Sequence, residues 1–143
     1  MADSTRNPDP STMKGVIPYL AMNGNAGAAA DFYARAFGAA EMGSRMPLDD
    51  APGKFMHVQV EINGGALMMT DFSMSSATDA PPMASGHLQL VVGDGQVWWD
   101  RAVAAGCTVD MPYQRQPWGD DWGLLRDPFG IKWAVLTPGP ERG

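Results

Sequence analysis

The chain is short of almost every feature that would assign it to a specialised class. A single cysteine, Cys107, excludes an internal disulfide and fits a reducing cytoplasm. No run approaches the 18 or so apolar residues of a membrane span, and the polar, Pro-containing residues 1–12 hold no apolar core for a signal peptide. Only 10 of the 143 residues are basic against 16 acidic, giving a net charge of −6. The basic residues are scattered, and the clustered positive footprint of a nucleic-acid binder is missing. There are only two histidines, His57 and His87. The apolar fraction of 45% is that of an ordinary globular protein, and the length suits one domain with a real core.

The densest information lies in residues 118–133, WGDDWGLLRDPFGIKW, which hold three of the five tryptophans. Residues 122–126 read as a strand, Asp127-Pro128-Phe129-Gly130 as a tight turn, and residues 131–137 as an apolar return strand. Earlier, residues 16–22 form a short strand interrupted by Pro18. Asn25 is placed to cap a helix over 26–37. In that helix Ala29, Phe32, Tyr33, Ala36 and Phe37 recur on one face, and Gly38 closes it. Residues 40–46 read as a strand. Residues 55–62 alternate, with Met56, Val58, Val60 and Ile62 on one side and His57, Gln59 and Glu61 on the other. Asn63-Gly64-Gly65 then turns into a strand over 66–71.

After a Ser-, Pro- and Met-rich stretch (72–85) the order repeats. Residues 87–92 alternate, Gly93-Asp94-Gly95 opens a helix over 96–105 ended by Gly106, and 109–114 form a strand before the Trp-rich hairpin. Each half reads strand–helix–strand–strand–strand, an internal duplication with a period near 70 residues. The expected architecture is α+β, with two tandem βαβββ modules forming a curved mixed sheet around a cleft. Residues 1–13 are expected as a disordered tail, 14–71 as module one, 72–85 as linker, 86–137 as module two and 138–143 as a second tail.

Duplicated units with this punctuation resemble the vicinal-oxygen-chelate superfamily, which has the glyoxalase/bleomycin-resistance/dihydroxybiphenyl dioxygenase fold. The PhnB-like branch is the part resembled. The residues concerned are Pro18-Tyr19-Leu20 with Asn23-Gly24-Asn25, Asp31-Phe32-Tyr33 ahead of Phe37-Gly38, Met68-Met69-Thr70-Asp71, and Trp118-Gly119 ahead of Asp127-Pro128-Phe129-Gly130 with Trp133. The resemblance implies homodimers, often with halves of two chains building each cleft. It also implies four metal-holding positions, which fall here on Pro18, Met68 (Met69 if the register slips by one), His87 and Ala134. Only His87 can coordinate, and one imidazole does not hold a divalent ion tightly. The expectation is therefore no metal and no cofactor, against glyoxalase-type isomerisation and extradiol dioxygenation. PhnB-like sequences sometimes carry a demethylubiquinone methyltransferase label, but no Gly-rich strand-to-helix turn suited to a methyl donor is present.

A polar cleft floor is expected from His57, Gln59, Glu61, His87 and Gln89. Met68 and Met69 point to opposite faces, so one of them should enter the cleft. Trp118 and Trp122 offer an aromatic wall, and Arg126 a partner for an anion. A metal site rebuilt from His87, Glu61 and Asp71 is the alternative to no metal, with Asp71 otherwise capping the turn that follows it. Cys107 reads as a small buried hydrophobe. Trp133 reads as core, and one of Trp98 and Trp99 as marginal. Two functions follow. One is a dimeric, cytoplasmic small-molecule-binding protein without the usual metal. The other is an enzyme, lyase, isomerase or dioxygenase-like, with a non-standard metal or acid–base centre around His87. Neither nucleic acid nor membrane is expected as a partner, and whether a reaction is catalysed stays open.

Overall fold

The computed structural model describes residues 10–72 and 85–140. Module one comprises β1 (Tyr19–Ala21), α1 (Ala26–Phe37), β2 (Ala40–Glu41), β3 (Met46–Pro47), β4 (Phe55–Ile62) and β5 (Gly65–Thr70). Module two comprises β6 (Leu88–Val91), α2 (Gly95–Ala105), β7 (Thr108–Arg115), β8 (Asp121–Arg126) and β9 (Lys132–Thr137). The sheets run β1-β5-β4-β2, with β3 also on β4, and β6-β9-β8-β7. The first strand of each module lies parallel to its last, and the other pairings are antiparallel. Identical strand order in the two halves is the duplication read from the sequence.

Several boundaries differ from expectation. The strand expected over 16–22 shrinks to three residues, because Pro18 has no N–H to offer a ladder. The strand expected over 40–46 is broken into β2 and β3 around Gly43, which has φ 71°. The curved sheet is in two parts, since β1 and β6 are both outer strands and share no ladder. Asn63 Nδ2 nevertheless donates to the Val91 carbonyl across the seam at 3.0 Å. The described parts of both expected tails pack onto the domain. Pro10–Thr12 make a 3-10 turn with Thr12 buried, and the buried Gly139 amide donates to Asp120 Oδ1 at 3.0 Å. Most of the expected linker lies outside the described residues, as do residues 1–9 and 141–143.

One apolar core serves both modules. The α1 face (Ala29, Phe32, Tyr33, Ala36 and Phe37) is buried together with Val58, Val60, Leu67 and Met69 of its own sheet. Leu90, Leu125, Trp133 and Val135 of the other sheet join the same cluster. Trp133 sits 4.6 Å from the Phe37 ring and 5.2 Å from Tyr33, centroid to centroid. Among the described residues, the extensive element contact between modules is α1 on α2, where Arg101 Nε donates to the Ala36 carbonyl at 3.0 Å. Trp99 is buried and stacks on Tyr113 at 5.6 Å. Its neighbour Trp98 is half-buried beneath the Arg101 guanidinium.

At the centre of this core lies a carboxylate. Asp127, 4% exposed, opens the D-P-F-G turn, and its Oδ1 accepts from the Phe129 and Ile131 amides at 2.9 and 3.0 Å. Its Oδ2 accepts from Trp133 Nε1 at 3.0 Å and from the Tyr33 hydroxyl of module one at 2.6 Å. Four donors satisfy a charge that would otherwise be costly to bury. Burial, and next the charge of Asp127, push the Tyr33 phenol well above its ordinary range. Burial first, then the same carboxylate, push the Cys107 thiol up to about 12, so the cysteine is the inert core residue the sequence suggested.

Candidate functional site

Each sheet has one face on the helices and one turned away from them, and strand alternation decides which side chains occupy the second face. In the first sheet Val58, Val60, Leu67 and Met69 point to the core. His57, Gln59 and Glu61 point away, across the ladder from Met46, Met68 and Ala66 respectively. Met69 is fully buried, which removes it from the expected cleft and leaves Met68 there. Parallel pairing sets Tyr19 opposite Met68, so Tyr19 rather than Pro18 shares the cleft face. Pro18, the position the family resemblance pointed to, lies just before the ladder, which it cannot join as a donor.

Tyr19 is the functional candidate missed from sequence. Its hydroxyl lies 2.8 Å from His57 Nδ1, with the rings edge-to-face at 5.6 Å. His57 Nε2 lies 3.4 Å from Gln59 Oε1. The Gln59 amide nitrogen is committed to the Met13 and Met42 sulfurs at 3.1 and 3.6 Å. Those sulfurs can only accept from it, so the Gln59 oxygen faces the imidazole and takes the Nε2 proton. Nδ1 is then the bare acceptor, and Tyr19 donates to it.

On the second sheet Gln89 lies opposite Ala134, and Trp122 opposite Leu136. Trp122 Nε1 donates to Gln89 Oε1 at 3.2 Å, and His87 Nε2 reaches the same oxygen at 3.5 Å. Trp122 meets His87 edge-on at 6.1 Å and Trp118 at 6.2 Å. The two tryptophans thus stand edge to face beside His87, with Trp118 53% exposed. Arg126 is not held ready for an anion, because its guanidinium pairs with Asp110 at 3.2 Å. A groove at the seam of β1 and β6, floored by Ile62, Leu67, Leu88, Leu90 and Trp133, also escaped the sequence reading.

The side chains at the four family positions, Tyr19, Met68, His87 and Ala134, do not fit a divalent ion. The rebuilt alternative is not assembled either. Asp71 Oδ1 accepts from the Gly24 and Ala26 amides at 2.9 and 3.0 Å, and Oδ2 from the Phe55 amide at 2.9 Å. It thus caps α1, the role expected of Asn25, whose side chain makes no capping bond; the turn it was expected to cap runs into residues outside the described ones. Glu61 belongs to the first sheet, while His87 stands at the entry to β6. No group of three or more His, Cys, Asp or Glu suited to an ion occurs among the described residues. His87 is exposed, and its polar neighbour among the described residues is the Gln89 amide, whose oxygen accepts a hydrogen bond but is no base near neutral pH.

This fold and this face define a class. The chain belongs to the Glyoxalase/Bleomycin resistance protein/Dioxygenase superfamily, which it matches over residues 16–135. An uncharacterised Mycobacterium tuberculosis protein, Rv0887c, is 35% identical over 134 residues, spanning 85% of this chain and 72% of that protein. The PhnB protein of Bacillus cereus superimposes with a TM-score of 0.66 at 22% identity, over 87% of this chain and 99% of that one. TnmS3, an antibiotic binding protein from Streptomyces sp. CB03234, superimposes at 0.62 with 17% identity, over 87% and 93% of the two chains. Both structural likenesses concern the fold alone.

Proposed function

We propose that the chain is a homodimeric, cytoplasmic small-molecule-binding protein whose cleft does without the superfamily's divalent ion. The observation that carries this reading is the donor set on the cleft faces: a phenol, a thioether, one imidazole and a methyl group stand where an ion would need three or four ligands. The lining is that of a binding site, with Met68 and the Trp118–Trp122 pair giving adaptable apolar contact. Gln59, Gln89, His57 and His87 supply a few polar contacts to orient a ligand. The antibiotic-binding neighbour supports the same reading. The modules meet through their helices, which leaves the two cleft faces with separate hydrogen-bond networks, and a second copy would bring a complementary wall to each. The single buried thiol suits a reducing compartment.

Tryptophan fluorescence with a panel of flat apolar compounds tests the cleft, because Trp118 and Trp122 line it. Sedimentation tests the dimer, and elemental analysis of protein purified without chelator tests the metal. Saturable quenching that is lost in Trp122→Phe, a dimer, and no stoichiometric divalent ion are expected. An ion bound one per chain and lost in His87→Ala would overturn the reading.

A further inference from the structure

The hydrogen-bond chain on the first sheet has a direction, and direction gives it chemistry. It begins at the sulfurs of Met13 and Met42, passes through the Gln59 amide and the His57 imidazole, and ends on the Tyr19 hydroxyl. With Gln59 turned this way, the imidazole gives its Nε2–H to the amide oxygen and offers its bare Nδ1 to Tyr19. Tyr19 is 53% exposed, so its oxygen can accept from a ligand while its proton points at Nδ1. The cross-strand neighbours of His57 and Tyr19 are Met46 and Met68. Neither titrates, and both offer polarisable surface to an aromatic ring. The nearest charged side chain of the same strand face is Glu61, four residues along β4 and about 13 Å away at the usual strand rise.

We propose that Tyr19 and His57 form a proton-accepting site for a flat aromatic ligand bearing an ionisable hydroxyl, bound as its anion. The proposal rests on the cleft reading above. On binding, the ligand O–H bond breaks and its proton passes to Tyr19 Oη. The Tyr19 proton passes to His57 Nδ1, and the ligand oxygen is left as an oxyanion that accepts from the Tyr19 hydroxyl. One anion and one imidazolium replace two neutral groups. The imidazolium keeps its Nε2–H on Gln59 Oε1, so nothing else in the chain need move. Among the described residues His87 has no such hydroxyl partner, so we place at His57 the acid–base chemistry that the sequence placed at His87.

p-Nitrophenol reports this directly, because its anion absorbs in the visible and the phenol does not. Below the pH at which half of it ionises in buffer, full-length protein should raise the ratio of phenolate to phenol about tenfold, the equivalent of one unit of pKa. His57→Gln and Tyr19→Phe should each abolish the rise, and thermal melting checks that both remain folded. p-Nitroanisole, which has no proton to give, separates the two levels of the argument. If wild-type protein binds p-nitroanisole but leaves p-nitrophenol protonated, the proton-accepting site is wrong and the cleft stands. If His57→Gln still raises the phenolate band, another group is the acceptor and the proposal fails. Binding of neither compound overturns the cleft reading and this proposal together.

Discussion

Replacing Tyr33 by Phe removes a single oxygen from the junction of the two modules. The ring stays, so packing against Phe37, Phe129 and Trp133 is kept and no cavity opens. What is lost is one 2.6 Å hydrogen bond to a buried carboxylate. Bonds to charged groups contribute about 1.5–3 kcal/mol, and the short distance puts this one among the stronger. Asp127 keeps three donors, which caps the penalty near that range. For a domain of this size each kcal/mol moves Tm by roughly 2–4 °C, so a fall of about 4–10 °C is expected, matched by the midpoint of urea unfolding. The pH profile gives a second reading. Tyr33 ionises less readily folded than unfolded, so its contribution is complete below about pH 10, the unfolded value, and is lost as pH rises beyond it. Tyr33→Phe should therefore lose less stability than wild type above pH 10. A variant within about 0.5 kcal/mol of wild type, the range of an ordinary surface substitution, would refute the latch.

Three further outcomes follow from the same packing. Asp71→Ala strips three backbone amides of their acceptor and should cost about 1–2 kcal/mol in denaturant unfolding, the range for a lost helix cap. Cys107 should stay unreactive to a thiol reagent near pH 8 until the protein is unfolded, because its thiol is pushed up to about 12; immediate reaction in native buffer would contradict its burial. Its share of stability, like that of Tyr33, falls as pH climbs from its unfolded value near 9 toward 12. Gly123→Ala would set a methyl carbon 2.7 Å from the backbone of Tyr113 on β7 and from the Trp99 ring. A strand backbone cannot yield cheaply, so a loss of about 1–3 kcal/mol should appear in thermal melts.

The duplication, both helices and the Trp-rich hairpin were legible because periodicity and turn chemistry are local. The α1 bounds and those of β4 agree with the reading residue for residue, since strong alternation and a C′ glycine leave little freedom. Trp133 reads as core against the first helix of a unit, and it packs on α1. Which module's helix it would meet was not legible, because periodicity says which face is buried and never against what. Three misplacements share that cause. Tyr19 was overlooked because only the ladder with β5 reveals that it, and not Pro18, stands beside Met68. Arg126 read as an anion partner until β7 brought Asp110 to it. Asp71 read as a cap for the turn after it, and its reach of 47 positions back to the Gly24 amide was missed. Such pairings are set by tertiary geometry, which one unaligned sequence does not encode visibly.

The shared core has a bearing on how this architecture can be taken apart. Severing the chain after Phe72 would leave module one with the Phe32, Tyr33 and Phe37 side of α1 stripped of Trp133 and Phe129, and module two with the Asp127 carboxylate short of a donor. Neither fragment should be a stable protein alone, yet the two expressed together should find each other and restore the whole.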